Sequence, residues 1–289
     1  MQIGLVGLGR MGANMMERLR RGGHDVIGYD RSPKLSDVAS LSELVARLAP
    51  PRAVWLMVPA GQPTGETIAE LAGLLAEGDL IVDGGNSNFR DSMARGSELE
   101  KRGVLFVDAG TSGGVWGLEK GYCLMVGGSE DAFRRIEPAL KTLAPENGYA
   151  RVGPCGAGHF VKMVHNGIEY AMLQAYGEGF DILQAGPFAL DLHQLAQLWN
   201  QGSVVRSWLL ELAERAFADD PKLSKIRGYV DDSGEGRWTV LEAINEDVPS
   251  PAIALSLFAR FSSRRDDSFA MKVIAALRNE FGGHQVKTP

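Results

Sequence analysis

The sequence predicts an α/β domain built on a parallel sheet, followed by an all-α domain. Three observations carry that expectation. Short apolar runs alternate with amphipathic helical stretches through the first half. After Gly153-Pro154 every periodic stretch has helical spacing. The length, 289 residues, suits about two domains. The boundary is expected near residue 155, giving domains 1–155 and 156–289.

The elements follow in order. QIGLVG (2–7) reads as a buried strand ending in glycine, and Met11–Arg21 as an amphipathic helix with Met11, Met15 and Leu19 on one face, stopped by Gly22-Gly23. Further strands are expected at 24–30, 53–58, 79–83, 104–108 and 122–128, with helices around 41–48, 64–76, 89–102 and 131–143. From Gly158 to Ala185 no proline interrupts the helical pattern, a single helix of about 42 Å. Helices are then expected at 191–200, 204–217, 238–246, 251–263 and 267–281.

Composition narrows the function. Thirty basic residues against 36 acidic ones give a net charge of -6, so no overall field favours nucleic acid. An anionic ligand must be held by a few local cations. Two cysteines, Cys123 and Cys155, cannot make a disulfide framework and fit a reducing, cytoplasmic setting. No stretch reaches the ~18 apolar residues of a membrane span, and MQIGLVGLG lacks the basic lead of a signal peptide.

Gly7-Leu8-Gly9-Arg10-Met11-Gly12 is a G-x-G-x-x-G between a strand and a helix. The first glycine permits the turn, the second lets backbone approach a pyrophosphate, and the third lets helix and strand pack closely. This makes the first domain Rossmann-type. Asp30 follows at the end of the second strand, 18 residues after Gly12, where an acid accepts the ribose hydroxyls and repels a 2′-phosphate. The expected cofactor is NAD, with NADP the lesser candidate because the adjacent Arg31 is a group able to accept a 2′-phosphate. A plain βαβ turn with a surface Asp is the bland alternative.

A second cluster lies in GHFVKMVHNGIEY (158–170). Lys162, His165, Asn166, Glu169 and Tyr170 fall within roughly 140° of a helix that is otherwise largely apolar. A base, an acid and several hydrogen-bonding groups on one face, beside the cleft such domains use for substrates, point to catalysis rather than to a wet surface. Lys162 serves as a base only when neutral, a form that burial favours.

These residues carry a resemblance. GLVGLGRMGANM, YDRSP, DGGNSNFRDS, DAGTSGGVWGLEKGY, GHFVKMVHNGIEY, SGEGRWT, LFARFSSR and RNEFGGH span nearly the whole chain in order. The chain resembles 6-phosphogluconate dehydrogenase (decarboxylating) in its short, NAD-linked form, within the β-hydroxyacid dehydrogenase superfamily. The resemblance implies oxidative decarboxylation of 6-phospho-D-gluconate to ribulose 5-phosphate and CO2, with no metal. It implies Lys162 as catalytic lysine and Glu169 as second acid. Asn86, Ser112, Gly113, Gly114, His165, Asn166, Tyr170 and Arg260 become substrate-binding, as do Arg278 and His284 in a tail reaching the partner of a homodimer or dimer of dimers. The implied cofactor set is Gly7, Leu8, Gly9, Met11, Gly12, Asp30, Arg31, Val58 and Asn86. Two departures stand out. Asp30-Arg31-Ser32 replaces the Asn-Arg-Thr of longer NADP-linked relatives, and Ser233 and Glu235 replace a phosphate-binding lysine and a threonine. The alternatives are a superfamily dehydrogenase for a small non-phosphorylated acid, of the 3-hydroxyisobutyrate or tartronate semialdehyde kind, and an inert NAD-binding sensor.

Overall fold

A computed structural model describes residues 1–288. It has two compact units, Met1–Asn166 and the chain from Gly167 onward. The first holds seven strands in the order β2-β1-β3-β4-β5-β6-β7. These are β1 (Gln2–Val6), β2 (Asp25–Tyr29), β3 (Ala53–Leu56), β4 (Leu80–Asp83), β5 (Leu105–Ser112), β6 (Cys123–Gly128) and β7 (Tyr149–Gly153). The helices are α1 (Arg10–Arg21), α2 (Leu41–Arg47), α3 (Gln62–Leu74), α4 (Phe89–Glu100), the short α5 (Gly117–Lys120) and α6 (Glu130–Leu143).

Alternation along each buried strand feeds two cores. Ile3, Leu5, Trp55, Val82, Val107 and Val126 pack with Met15 and Leu19 of α1 and Ile136, Leu140 and Leu143 of α6. The intervening Val6, Val54, Leu56, Ile81 and Phe106 pack with Leu41, Leu44, Ile68, Leu71 and Leu99 of α2, α3 and α4. Both faces are therefore covered, as a parallel sheet requires. β1 lies between β2 and β3, so strand order reverses there, and ligands of such sheets bind beside that reversal at the strands' carboxyl ends.

The sheet departs from the sequence reading in three ways. β6 runs antiparallel to β5, because the ten residues from Gly113 to Tyr122 are too few for a crossover. β5 does not stop at Asp108 but continues to Ser112. β7 was not expected; YARVG is an edge strand with no buried residue and no apolar alternation to betray it.

α7 (Ala157–Ala185) begins in the first unit and ends in the second. The compact units divide between Asn166 and Gly167, within α7. The first turns of α7 belong with the sheet because Gly158 sits against the backbone of β5 and β6; a Cβ there would lie 2.4 Å from the Asp108 carbonyl oxygen and 2.5 Å from that of Met125. The second unit is helical, with α8 (Leu192–Trp199), α9 (Trp208–Asp219), α10 (Glu235–Asn245), α11 (Pro251–Ser263) and α12 (Phe269–Gly282). Its core gathers Phe180, Leu192, Ala196, Leu210 and Phe217. α9 starts at Trp208, later than expected, since the Ser207 hydroxyl accepts the Leu210 N–H and caps it. No described helix is long and apolar enough to cross a membrane.

Candidate active site

A cleft of about 650 Å³ opens at the carboxyl ends of β1, β3 and β4. Of the cofactor candidates, Gly7, Gly9, Met11, Asp30, Arg31, Val58 and Asn86 line it. Gly7 adopts φ +92°, and a Cβ there would meet the Met57 carbonyl oxygen at 2.6 Å, so only glycine suits this turn. At Gly9 nothing stands within 4 Å of a Cβ position, leaving bare backbone facing the cleft. Gly12 and Leu8 do not line it. A Cβ on Gly12 would lie 1.9 Å from the Gly7 carbonyl oxygen, so its part is close packing. The buried Leu8 gives its N–H to Asp30 Oδ2 at 2.7 Å. Asp30 Oδ1 accepts the Ser32 N–H at 2.8 Å, so the carboxylate is fixed at the cleft wall.

No side chain caps α1, and the free N–H groups of its first turn remain for an anion. Uncapped helix, bare Gly9 backbone and a fixed acid at the end of β2 fit a dinucleotide: phosphates on the turn, ribose hydroxyls on Asp30. Sequence reasoning missed Tyr29, Glu66, Thr67 and Glu70 in the lining. The last three lie on α3, where the G-x-G-x-x-G rule gives no signal.

Asn86 follows β4 in the left-handed region, φ +53°. Its Oδ1 accepts the Thr111 N–H at 2.9 Å and its Nδ2 donates to the Thr111 carbonyl at 3.1 Å. The side chain thus imitates a strand beside the end of β5. Its loop is anchored by the fully buried Asp83, which accepts the Gly85 N–H at 3.0 Å and the Ser87 hydroxyl at 2.7 Å, with Arg95 at 3.5 Å.

The lysine face forms on the first turns of α7. Lys162 and Asn166 are buried. Lys162 Nζ donates to Asn166 Oδ1 at 2.5 Å, and His165 Nδ1 lies 2.9 Å from the same oxygen. Lys162 Nζ also lies 3.4 Å from His165 Nδ1, and His165 Nε2 lies 3.4 Å from the Ser112 hydroxyl. Ser112, read as part of a loop, is the last residue of β5; Gly113 (φ +129°) and Gly114 (φ +53°) turn the chain away after it.

Two features hold Lys162 against the strand. Gly110 of β5 leaves its stem room, since a Cβ at 110 would lie 2.4 Å from Lys162 Cβ. Asp108, fully buried, accepts the Gly156 N–H at 2.7 Å and the His159 N–H at 2.8 Å, satisfying the first turn of α7 from the neighbouring strand. Burial pushes the nearby Cys155 thiol up to about 12, with Asp108 and Glu100 adding to it. That cysteine is inert as a nucleophile at neutral pH.

In the second unit Glu169 is half-buried and Tyr170 is buried. The Arg260 guanidinium stacks on the Tyr170 ring, 3.3 Å from its centroid. The Tyr170 hydroxyl accepts the Ser233 N–H at 3.1 Å, and the Ser233 hydroxyl donates to Glu235 Oε2 at 2.9 Å. The loop before it is tied down by Asp232, which takes two hydrogen bonds from Arg237, at 2.8 and 3.1 Å, and one from Arg264 at 3.1 Å. Arg278 on α12 and His284 beyond it are exposed, and His284 is held locally, its carbonyl accepting from Asn279 Nδ2 at 2.9 Å and its ring lying edge-on to Phe281.

A dinucleotide-binding sheet with a lysine–asparagine pair on the helix that follows defines a Rossmann-type oxidoreductase with a helical second domain. Residues 2–153 match the NAD binding domain of 6-phosphogluconate dehydrogenase, and residues 158–288 match that enzyme's C-terminal domain. The chain belongs to the 6-phosphogluconate dehydrogenase family. It is 45% identical to the Bacillus subtilis protein YqeC, provisionally named a 6-phosphogluconate dehydrogenase, over 98% of each chain. It is 43% identical to a Haloferax volcanii protein named as the NAD(+)-dependent, decarboxylating 6-phosphogluconate dehydrogenase, over 99% of this chain and 98% of that one. The Plasmodium falciparum 6-phosphogluconate dehydrogenase structure superposes with a TM-score of 0.82 at 28% identity, covering 100% of this chain and 66% of the other.

Proposed function

We propose that the protein oxidatively decarboxylates 6-phospho-D-gluconate to ribulose 5-phosphate and CO2, with NAD as oxidant. The observation that carries this reading is the buried Lys162, hydrogen-bonded to Asn166 within a group that includes His165 and Ser112. Neutral Lys162 takes the proton of the C3 hydroxyl. The nicotinamide, when bound, supplies the acceptor for the C3 hydride. Protonated Lys162 then hydrogen-bonds the new C3 carbonyl oxygen, drawing electrons from the breaking C1–C2 bond as CO2 leaves. Glu169 delivers a proton to C2, which becomes C1 of ribulose 5-phosphate. Asn166 orients the lysine in both protonation states, because its Oδ1 accepts an N–H from amine or ammonium alike. His165 and Ser112 bind the sugar acid's hydroxyl and carboxylate groups, and Arg260 stacked on Tyr170 serves its phosphate.

Asp30 supports NAD over NADP. A second copy of the chain is the proposed partner: α12 buries no residue and exposes Phe269, Met271, Leu277 and Phe281, more apolar surface than a lone helix carries without purpose. On this reading Arg278 and His284 act in the partner's site.

The test supplies 6-phosphogluconate, gluconate and 3-hydroxyisobutyrate in turn with NAD+, following NADH and CO2 together. Both products form from 6-phosphogluconate alone if the proposal holds. NADH without CO2, or turnover only of the plain acids, overturns it. Lys162→Met is expected to lose about 10²–10⁴ in kcat through proton transfer.

A further inference from the structure

Arg31 is the single cation among the described residues lining the nucleotide cleft. An arginine beside the acid at the end of β2 is the group that accommodates a 2′-phosphate in NADP-linked sites. Left to itself, Arg31 would offset the discrimination that Asp30 provides. It is not left to itself. Glu66 Oε2 stands 3.7 Å from the Arg31 guanidinium, and Glu66 Oε1 accepts from Gln62 Nε2 at 2.7 Å, which holds the carboxylate. Glu70, one helical turn on along α3, lines the same cleft. A 2′-phosphate bringing about −1.5 to −2 charges would therefore meet Asp30, Glu66 and Glu70, with one arginine already engaged.

The geometry points to Glu66 as a cofactor-specificity residue: by pairing with Arg31 it withdraws the cleft's cation from a 2′-phosphate and reserves the site for NAD. This deepens the reading of the cleft as an NAD site and rests on it. The pair is solvent-exposed, so removing it leaves the fold intact and changes affinity several-fold rather than by orders of magnitude.

Fluorescence titration of NADH and NADPH tests this without any substrate. In Glu66→Gln, NADPH is expected to bind about 3–5-fold tighter while NADH affinity stays within about 2-fold. In the double variant Glu66→Gln/Arg31→Ala, the gain for NADPH is expected to vanish, because no freed arginine remains to take the phosphate. Unchanged NADPH affinity in Glu66→Gln, equal gains for both nucleotides, or a gain that persists without Arg31 overturns the assignment while the dinucleotide site stands. Failure of the unmodified protein to bind either nucleotide removes the dinucleotide reading, and the role of Glu66 with it.

Discussion

A methyl group at position 110 would occupy the space of Lys162's own stem. Gly110 has no positive φ, so its need for glycine is purely steric. Gly110→Ala is expected to push Lys162 off its hydrogen bond to Asn166 and lower kcat at least about 10-fold, a 1 Å misplacement being worth more than that. NADH affinity should be unchanged, since residue 110 is not in the nucleotide cleft; equal losses in both would mean general damage to the sheet. Arg260→Ala should raise KM for 6-phosphogluconate far more than it lowers kcat, and a normal KM would remove Arg260 from phosphate binding. At this scale the sequence reveals chemistry better than support. Lys162 and Asn166 stand out by their spacing on a helix. Gly110 does not, because it reads as a loop residue until β5 is seen running through it to Ser112. Glu66 is equally silent: nothing in the spacing of α3 says which of its acids faces a cleft.

Among the elements, α7 depends on a carboxylate that is not its own. Asp108 on β5 satisfies the Gly156 and His159 N–H groups. In Asp108→Asn one acceptor becomes an N–H2 donor facing a backbone donor, and the loss is expected to be about 1.5–3 kcal/mol of stability, read as a lower urea midpoint. The loop before α10 gives a pH signature. Hydrogen bonds from Arg237 hold the Asp232 carboxyl below the usual carboxylate range against the opposing effect of burial, and Arg264 adds to them. Its folded value being depressed, Asp232 stabilises the protein above the ordinary carboxylate range and loses that contribution as pH falls through the folded value. Thermal melts from neutral pH downward should show the fall, and Asp232→Asn should flatten it. Strands and helices with strong periodicity are legible in sequence. β7 is not, because an exposed edge strand has no face to bury. The reversal of β6 is legible only as a count of connecting residues.

For the whole molecule, the order of an α/β domain before a helical one can be read from alternation and its disappearance, and the family likeness adds the two-part site. Assembly is less legible, since an apolar helix reads the same whether it lines its own core or another's. Removing residues 278–289 is expected to abolish turnover with 6-phosphogluconate and weaken self-association in sedimentation experiments while leaving NADH binding intact; full activity would deny the tail its part. The place where the compact units divide has a practical corollary for anyone wishing to cut the molecule in two. A fragment stopped at 155 would strip away the turns that shelter Asp108, uncovering its carboxylate without the Gly156 and His159 N–H donors and leaving a groove of glycines with nothing laid in it. One stopped at 166 keeps its own plug and coincides with the compact unit Met1–Asn166.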